Sequence, residues 1–256
     1  MRKFTLLGWL LLISFILHSL ALTSQVVNIE KKRKGDRDGF AGVIGASFYL
    51  IDNGKKILQF RSLVDLQYDH GPHTFLILSD LNLMSVDQEN LVNSGFEHFR
   101  YNYTVRDSGF LTFELFFQHQ YNQIKLLKRR LLVGFGPRFR LVHSNRAHLY
   151  IGTLGMYENE LLADSLTTRN DLPRLASYLS FDWEITNNVH LNSISYYQPA
   201  FTKFGNFRMA METSLEFKFT NSLSLKIGIQ SNYDSKPPED IQKLFYFWEN
   251  GLTYHF

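Results

Sequence analysis

The chain has 256 residues, 27 basic against 24 acidic side chains, a formal net charge of +3 and no cysteine. So slight a positive excess argues against nucleic acid as a partner. Without cysteine there are no disulfides, so packing and strand closure must hold the chain together. Mean hydropathy is slightly negative although 15% of the residues are aromatic. That balance is expected where only alternate residues meet lipid.

The N-terminus opens with Arg2 and Lys3, continues through an apolar run from Phe4 to Leu17, and reaches small residues at Ser19, Ala21, Thr23 and Ser24. This order predicts a secretory signal peptide over 1–24, cut after Ala21 or Ser24. A polar leader follows over 25–38, in which Lys31–Lys34 reads as a solvated periplasmic tether. Residues 39–256 form the remaining domain.

Twelve strand-like segments are predicted in that domain, over 39–51, 56–68, 74–84, 92–105, 110–121, 129–143, 147–158, 173–185, 189–198, 205–219, 223–234 and 244–256. Their evidence is a period of two. In the second, Leu58, Phe60, Val64, Leu66 and Tyr68 oppose Gln59, Arg61, Asp65 and Gln67. In the fifth, Leu111, Phe113, Leu115, Phe117 and Tyr121 oppose Thr112, Glu114, Gln118 and Gln120. The tenth sets Phe207, Met209, Met211, Leu215, Phe217 and Phe219 against Arg208, Glu212, Ser214, Glu216 and Lys218. Short links such as 69–73, 144–146 and 186–188 are expected to alternate with longer ones at 85–91, 122–128, 159–172, 199–204 and 235–243.

The fold expected from this pattern is all-β: a closed antiparallel transmembrane β-barrel of about 12 strands, with both termini on the periplasmic side of the bacterial outer membrane. A soluble sandwich would also alternate, with its charges outside. The signal peptide, the alternating links and the aromatic terminus favour the membrane barrel. The last segment carries Tyr246, Trp248, Leu252, Tyr254 and Phe256 on one face. It resembles the closing strand of an outer-membrane barrel, in which the terminal aromatic belongs to the signal read by the barrel-assembly machinery. Tyr254 and Phe256 take that role here by resemblance.

The polar face then lines the lumen. Its candidates are Arg61, Asp65, Glu114, Gln118, Arg130, Arg138, Arg140, Asp182, Glu184, Arg208, Glu212 and Glu216. They would either line a water-filled passage or pair across a narrow lumen and fill it. Both signs occur in similar numbers, which makes pairing the more economical reading. Gly134 and Gly136 share this face, and relief of crowding explains them better than a ligand does.

Glu114, Gln118, Tyr121 and Asn122, followed by Arg130, Leu132, Gly134, Gly136 and Arg138, resemble the pattern of the salt-stress-induced outer-membrane protein family, long classed as a domain of unknown function. Tyr197-Gln-Pro199, Asn206-Phe-Arg208, Ser222-Leu-Ser-Leu225 and Tyr233-Asp-Ser-Lys-Pro-Pro238 extend the likeness over roughly residues 40–256. The resemblance implies an outer-membrane barrel without established catalytic chemistry, and an envelope structural or pore-like role linked to salt or osmotic stress.

Two alternatives stay open: a lipid hydrolase on the barrel wall, and a docking platform for a periplasmic partner at the short turns. His143-Ser144 is the one pair to weigh as a nucleophile and its base. Adjacent residues in a strand point to opposite faces, so it is a poor dyad. The acidic residues Glu158, Glu160, Asp164, Asp171, Asp234, Glu239 and Asp240 read as loop charges without calcium-loop spacing. The histidines lack metal-ligand spacing. No metal and no cofactor is expected, and the chain is read as a non-enzyme whose partners are outer-membrane lipid and the assembly machinery.

Overall fold

The computed structural model describes residues 38–105, 109–220, 222–238 and 241–254. The signal peptide, most of the leader, Glu239, Asp240 and Phe256 lie outside them. Twelve strands follow in chain order: β1 (Gly39–Asp52), β2 (Lys56–His70), β3 (His73–Val86), β4 (Glu89–Thr104), β5 (Leu111–Asn122), β6 (Leu127–His143), β7 (Ala147–Leu162), β8 (Arg169–Thr186), β9 (Val189–Ala200), β10 (Lys203–Lys218), β11 (Leu223–Asp234) and β12 (Leu244–Tyr254). They form one antiparallel sheet in the order β1 to β12. The ladders run from β1 to β12, and among the described residues none joins β12 back to β1. No helix among these residues is long and apolar enough to cross a membrane.

Most strands are longer than their alternation predicted, and the expected rhythm of short and long links is only partly kept: 144–146 and 235–243 stand as expected while others shorten. The link expected over 85–91 is a two-residue turn, Asp87 and Gln88, both with positive φ (50° and 72°). That is the twist a tight hairpin needs, and the Lys56 N–H donates to the Asp87 carboxylate at 2.8 Å to hold it. The link expected over 199–204 likewise shrinks to residues 201–202. The link expected over 159–172 shrinks to 163–168, which moves Glu160 and Asp171 into strands and sets Glu158, read as a loop charge at the end of its segment, well inside β7. Charged residues at a strand end read as loop when their cross-sheet partners are not visible in sequence.

The two faces of the sheet have opposite chemistry, in the sense the alternation predicts. On one face Phe135 is 57% exposed, Leu179 47% and Met209 49%. On the other, Glu114 and Glu158 are fully buried, and Arg130 and Arg174 are 1% exposed. The sheet curls toward its polar side strongly enough that side chains three strands apart touch. Tyr178 on β8 reaches Glu114 on β5, and Arg208 on β10 reaches Glu158 on β7.

Candidate functional site: the packed interior

The links β1–β2, β3–β4, β5–β6, β7–β8, β9–β10 and β11–β12 lie at one end of the sheet, here the far end. Both termini of the sheet lie at the other. Near the far end six ionic side chains interlock. Glu158 accepts from Arg130 Nε at 3.0 Å and from Arg174 Nε and Arg208 Nη1. Arg208 Nη2 also donates to both oxygens of Glu160, at 3.0 and 2.7 Å, and its Nε to Asp234 at 2.7 Å. Arg174 is tied further to the Gln198 carbonyl (3.1 Å) and the Asn206 side chain (3.0 Å). Three guanidiniums face three carboxylates, so the cluster carries no net formal charge. Each ion keeps strong partners in place of the water it loses, the condition for tolerating charges so deeply buried.

Below this network the inner face turns apolar. Phe116, Leu132, Leu154, Met156, Ala176, Tyr178, Ile194, Tyr196 and Ala210 pack as one buried cluster. Glycines make the room. A Cβ on Gly134 would stand 2.3 Å from the Phe116 ring, and one on Gly152 2.1 Å from the Tyr178 ring. Gly134 therefore relieves crowding, as expected, and the ring above it is the reason. Beyond the cluster, Glu114 gathers a second group. It accepts from Tyr178 Oη at 2.7 Å and from Arg100 Nη1 at 3.2 Å, with Arg138 Nη1 at 4.0 Å. The Arg138 guanidinium stacks 3.8 Å over the Tyr150 ring.

The two ends differ. At the far end the β5–β6 link folds inward and puts the Lys125 ammonium 5.5 Å over the Phe245 ring on β12. Burial first, and then Arg130, pushes that ammonium down to about 8. At the terminal end an open cavity of about 240 Å³ is lined by His148, Asp182, Glu184, His190, Glu216 and Lys218, among others. There Asp182 accepts from Asn192 Nδ2 at 3.0 Å and meets His190 Nε2 at 2.9 Å.

The expected lumen residues therefore divide into three sets. Glu114, Gln118, Arg130, Arg138 and Arg208 join the packed interior, and Asp65 is buried on β2. Asp182, Glu184 and Glu216 border the terminal-end cavity. Arg61, Arg140 and Glu212 are partly exposed, and Arg61 pairs with Asp80 at 3.3 Å. Sequence reasoning missed Glu158 and Glu160 by placing them in a loop. It also missed the apolar cluster inside the polar face. The signal for the first was available: Leu154, Met156, Glu158, Glu160 and Leu162 keep the inward period without a break.

The catalytic alternative gains no geometry. Ser144 Oγ is committed to its turn, accepting from the Ala147 N–H at 2.9 Å, while His143 meets His148. Asp164, expected as a loop charge, is held by Thr168, whose hydrogen bonds keep its carboxyl below the usual range. Among the described residues, no three His, Asp or Glu side chains already converge on one metal-sized point.

Comparison with known proteins gives the following. No curated protein matches the chain. Among solved structures it is similar to the NanC porin in a rhombohedral crystal form, at 7% identity and a TM-score of 0.43, over 84% of this chain and 100% of that one. It is also similar to OmpT, an outer membrane protein of Vibrio cholerae, at 10% identity and a TM-score of 0.27, over 84% of this chain and 96% of that one. Both are too distant for anything they do to be carried over. The family described as "Protein of unknown function, DUF481" matches residues 43–256. That span takes in every strand but the first residues of β1, and the chain belongs to this family.

Proposed function

We propose that this chain is an outer-membrane β-barrel with an occluded interior, serving an envelope-structural role and conducting no solute. One observation carries the reading: ions are buried on the concave face while large apolar side chains stand exposed on the other. In water this arrangement is inverted, because a soluble sheet buries its apolar face. In a bilayer it is the stable one, with lipid against the apolar face and the ions inside. The ionic network and the apolar cluster beneath it take up the inner side of β5 to β11, which supports the occluded reading. Tyr254, exposed at the end of β12, suits recognition by the assembly machinery.

Single-channel recording in planar bilayers tests the occlusion. The expected result is no unitary current at any voltage or salt concentration. Reproducible steps from the purified wild-type protein would overturn it.

A bilayer also requires the edges of β1 and β12 to pair, since unpaired backbone groups in hydrocarbon are costly. The registers are staggered for this. A row leaving Gly39 passes through Asp69, Thr74, Asn102 and Glu114, and by way of Arg208 reaches Asp234, level with the start of β12. The accumulated slip is thus at least the 11 residues of β12. A twelve-stranded barrel at ordinary tilt needs about 12–17. With no native cysteine to interfere, Ser47→Cys combined in turn with Phe247→Cys, Glu249→Cys or Gly251→Cys should give one cross-linked pair. Failure of all three would exclude this closure.

The link to salt or osmotic stress comes with the family resemblance. Growth of a deletion strain equal to wild type across salt concentrations would dismiss it.

A further inference from the structure

At the terminal end of the sheet two imidazoles face each other. His143 closes β6 and His148 is the second residue of β7, and the two are register partners beside the three-residue turn 144–146. Their Nδ1 atoms are 3.0 Å apart. The pairing depends on a bulge. The β6–β7 register slips by one residue between Arg140 and Val142. An extra residue turns every later side chain to the opposite face. Inward positions on β6 are even-numbered from Arg130 to Arg140, and beyond the bulge His143 joins them. His148 is in turn the register partner of Asp182 on β8, and Asp182 meets His190.

The geometry points to a binding site for a divalent transition-metal ion of the copper(II) type, with His143 and His148 as ligands and Asp182 as the third. Metal–nitrogen bonds of about 2.0–2.1 Å place tetrahedral neighbours roughly 3.3 Å apart and right-angled neighbours roughly 2.9 Å apart. The spacing of 3.0 Å fits the right-angled case, the arrangement copper(II) and nickel(II) adopt with nitrogen and oxygen donors. The carboxylate on the adjoining strand belongs to the register partner of His148, and His190 and Asn192 hold it. His143 is exposed and the cavity beside His148 is open, so an ion reaches the pair from solvent and water completes its shell. The inference is independent of the proposed function, because it needs only the β6–β8 registers.

Copper(II) titration of the full-length mature protein in detergent, without an affinity tag, tests it. Calorimetry gives the stoichiometry and paramagnetic resonance the donor set. The expected result is one equivalent bound with a two-nitrogen signature. His143→Ala and His148→Ala should each weaken binding by about tenfold or more, and Asp182→Asn should weaken it less and alter the resonance parameters. Gel mobility of the unboiled protein checks that each variant stays folded. Nickel(II) should bind the same site more weakly, as the ordinary order of divalent affinities requires. Copper binding that survives in the folded double variant H143A/H148A would overturn the proposal, as would a wild-type spectrum without nitrogen donors.

Discussion

Glu158→Gln is the most direct perturbation of the interior. The fully buried Glu158 carboxylate accepts from three arginines, Arg130, Arg174 and Arg208. Glutamine has the same shape, but it removes the negative charge and turns one acceptor into a donor aimed at a guanidinium. Three cations would then share Glu160 and Asp234, in a space where water does not replace the loss. Breaking a buried ion pair from one side costs about 3–5 kcal/mol, and three charged hydrogen bonds at about 1.5–3 kcal/mol each leave room for that figure after relaxation. Glu184→Gln is the control. It lines the open cavity, where solvent screens it, and should cost under about 1 kcal/mol. Urea titration of both variants in lipid vesicles, followed by the fluorescence of Trp183 and Trp248, measures the difference. Equal stabilities for the two would refute the claim that the network is dry and mutually dependent.

Three further outcomes are expected. Leu215→Arg, on the apolar face of β10, should cost about 2–4 kcal/mol in the same vesicles while Ser214→Arg costs much less; equal effects would reverse the assigned facing. Gly152→Val would force the Tyr178 ring from its seat and break its bond to Glu114, at a cost of about 1–3 kcal/mol; an unchanged urea midpoint would count against that packing. Lys125 ionises near 8 when folded and near 10.5 when unfolded, so between those pH values the unfolded chain binds more protons and stability rises with pH, while below about 8 the penalty is constant. Lys125→Met should flatten that rise, and an unaltered slope in paired titrations would exclude the buried position.

The facing of most strands was legible because period two is a local property of the backbone. Alternation put Glu114, Gln118, Arg130, Arg138 and Arg208 on one face, the signal peptide and the aromatic terminus made that face the inner one, and the structure buries all five. The apolar cluster was not legible. In a run such as Leu131-Leu132-Val133, the inward leucine and its outward neighbours differ only in where the curled sheet places them. Glu158 and Glu160 were hidden for a related reason: the arginines that make them tolerable come from β6, β8 and β10. The facing of His143 was not legible, because one unpaired residue reverses the alternation near the end of β6. Nothing in residues 140–143 announces that slip. It depends on how the turn at 144–146 seats the two strands.

The strictly sequential order of the strands bears on how the molecule is made. Every observed ladder joins segments adjacent along the polypeptide, so each hairpin forms without a search through distant parts of the chain. The entropic cost of bringing partners together stays that of a short loop throughout. Growth by accretion follows: a newly delivered strand finds a template already waiting and becomes the template for the next.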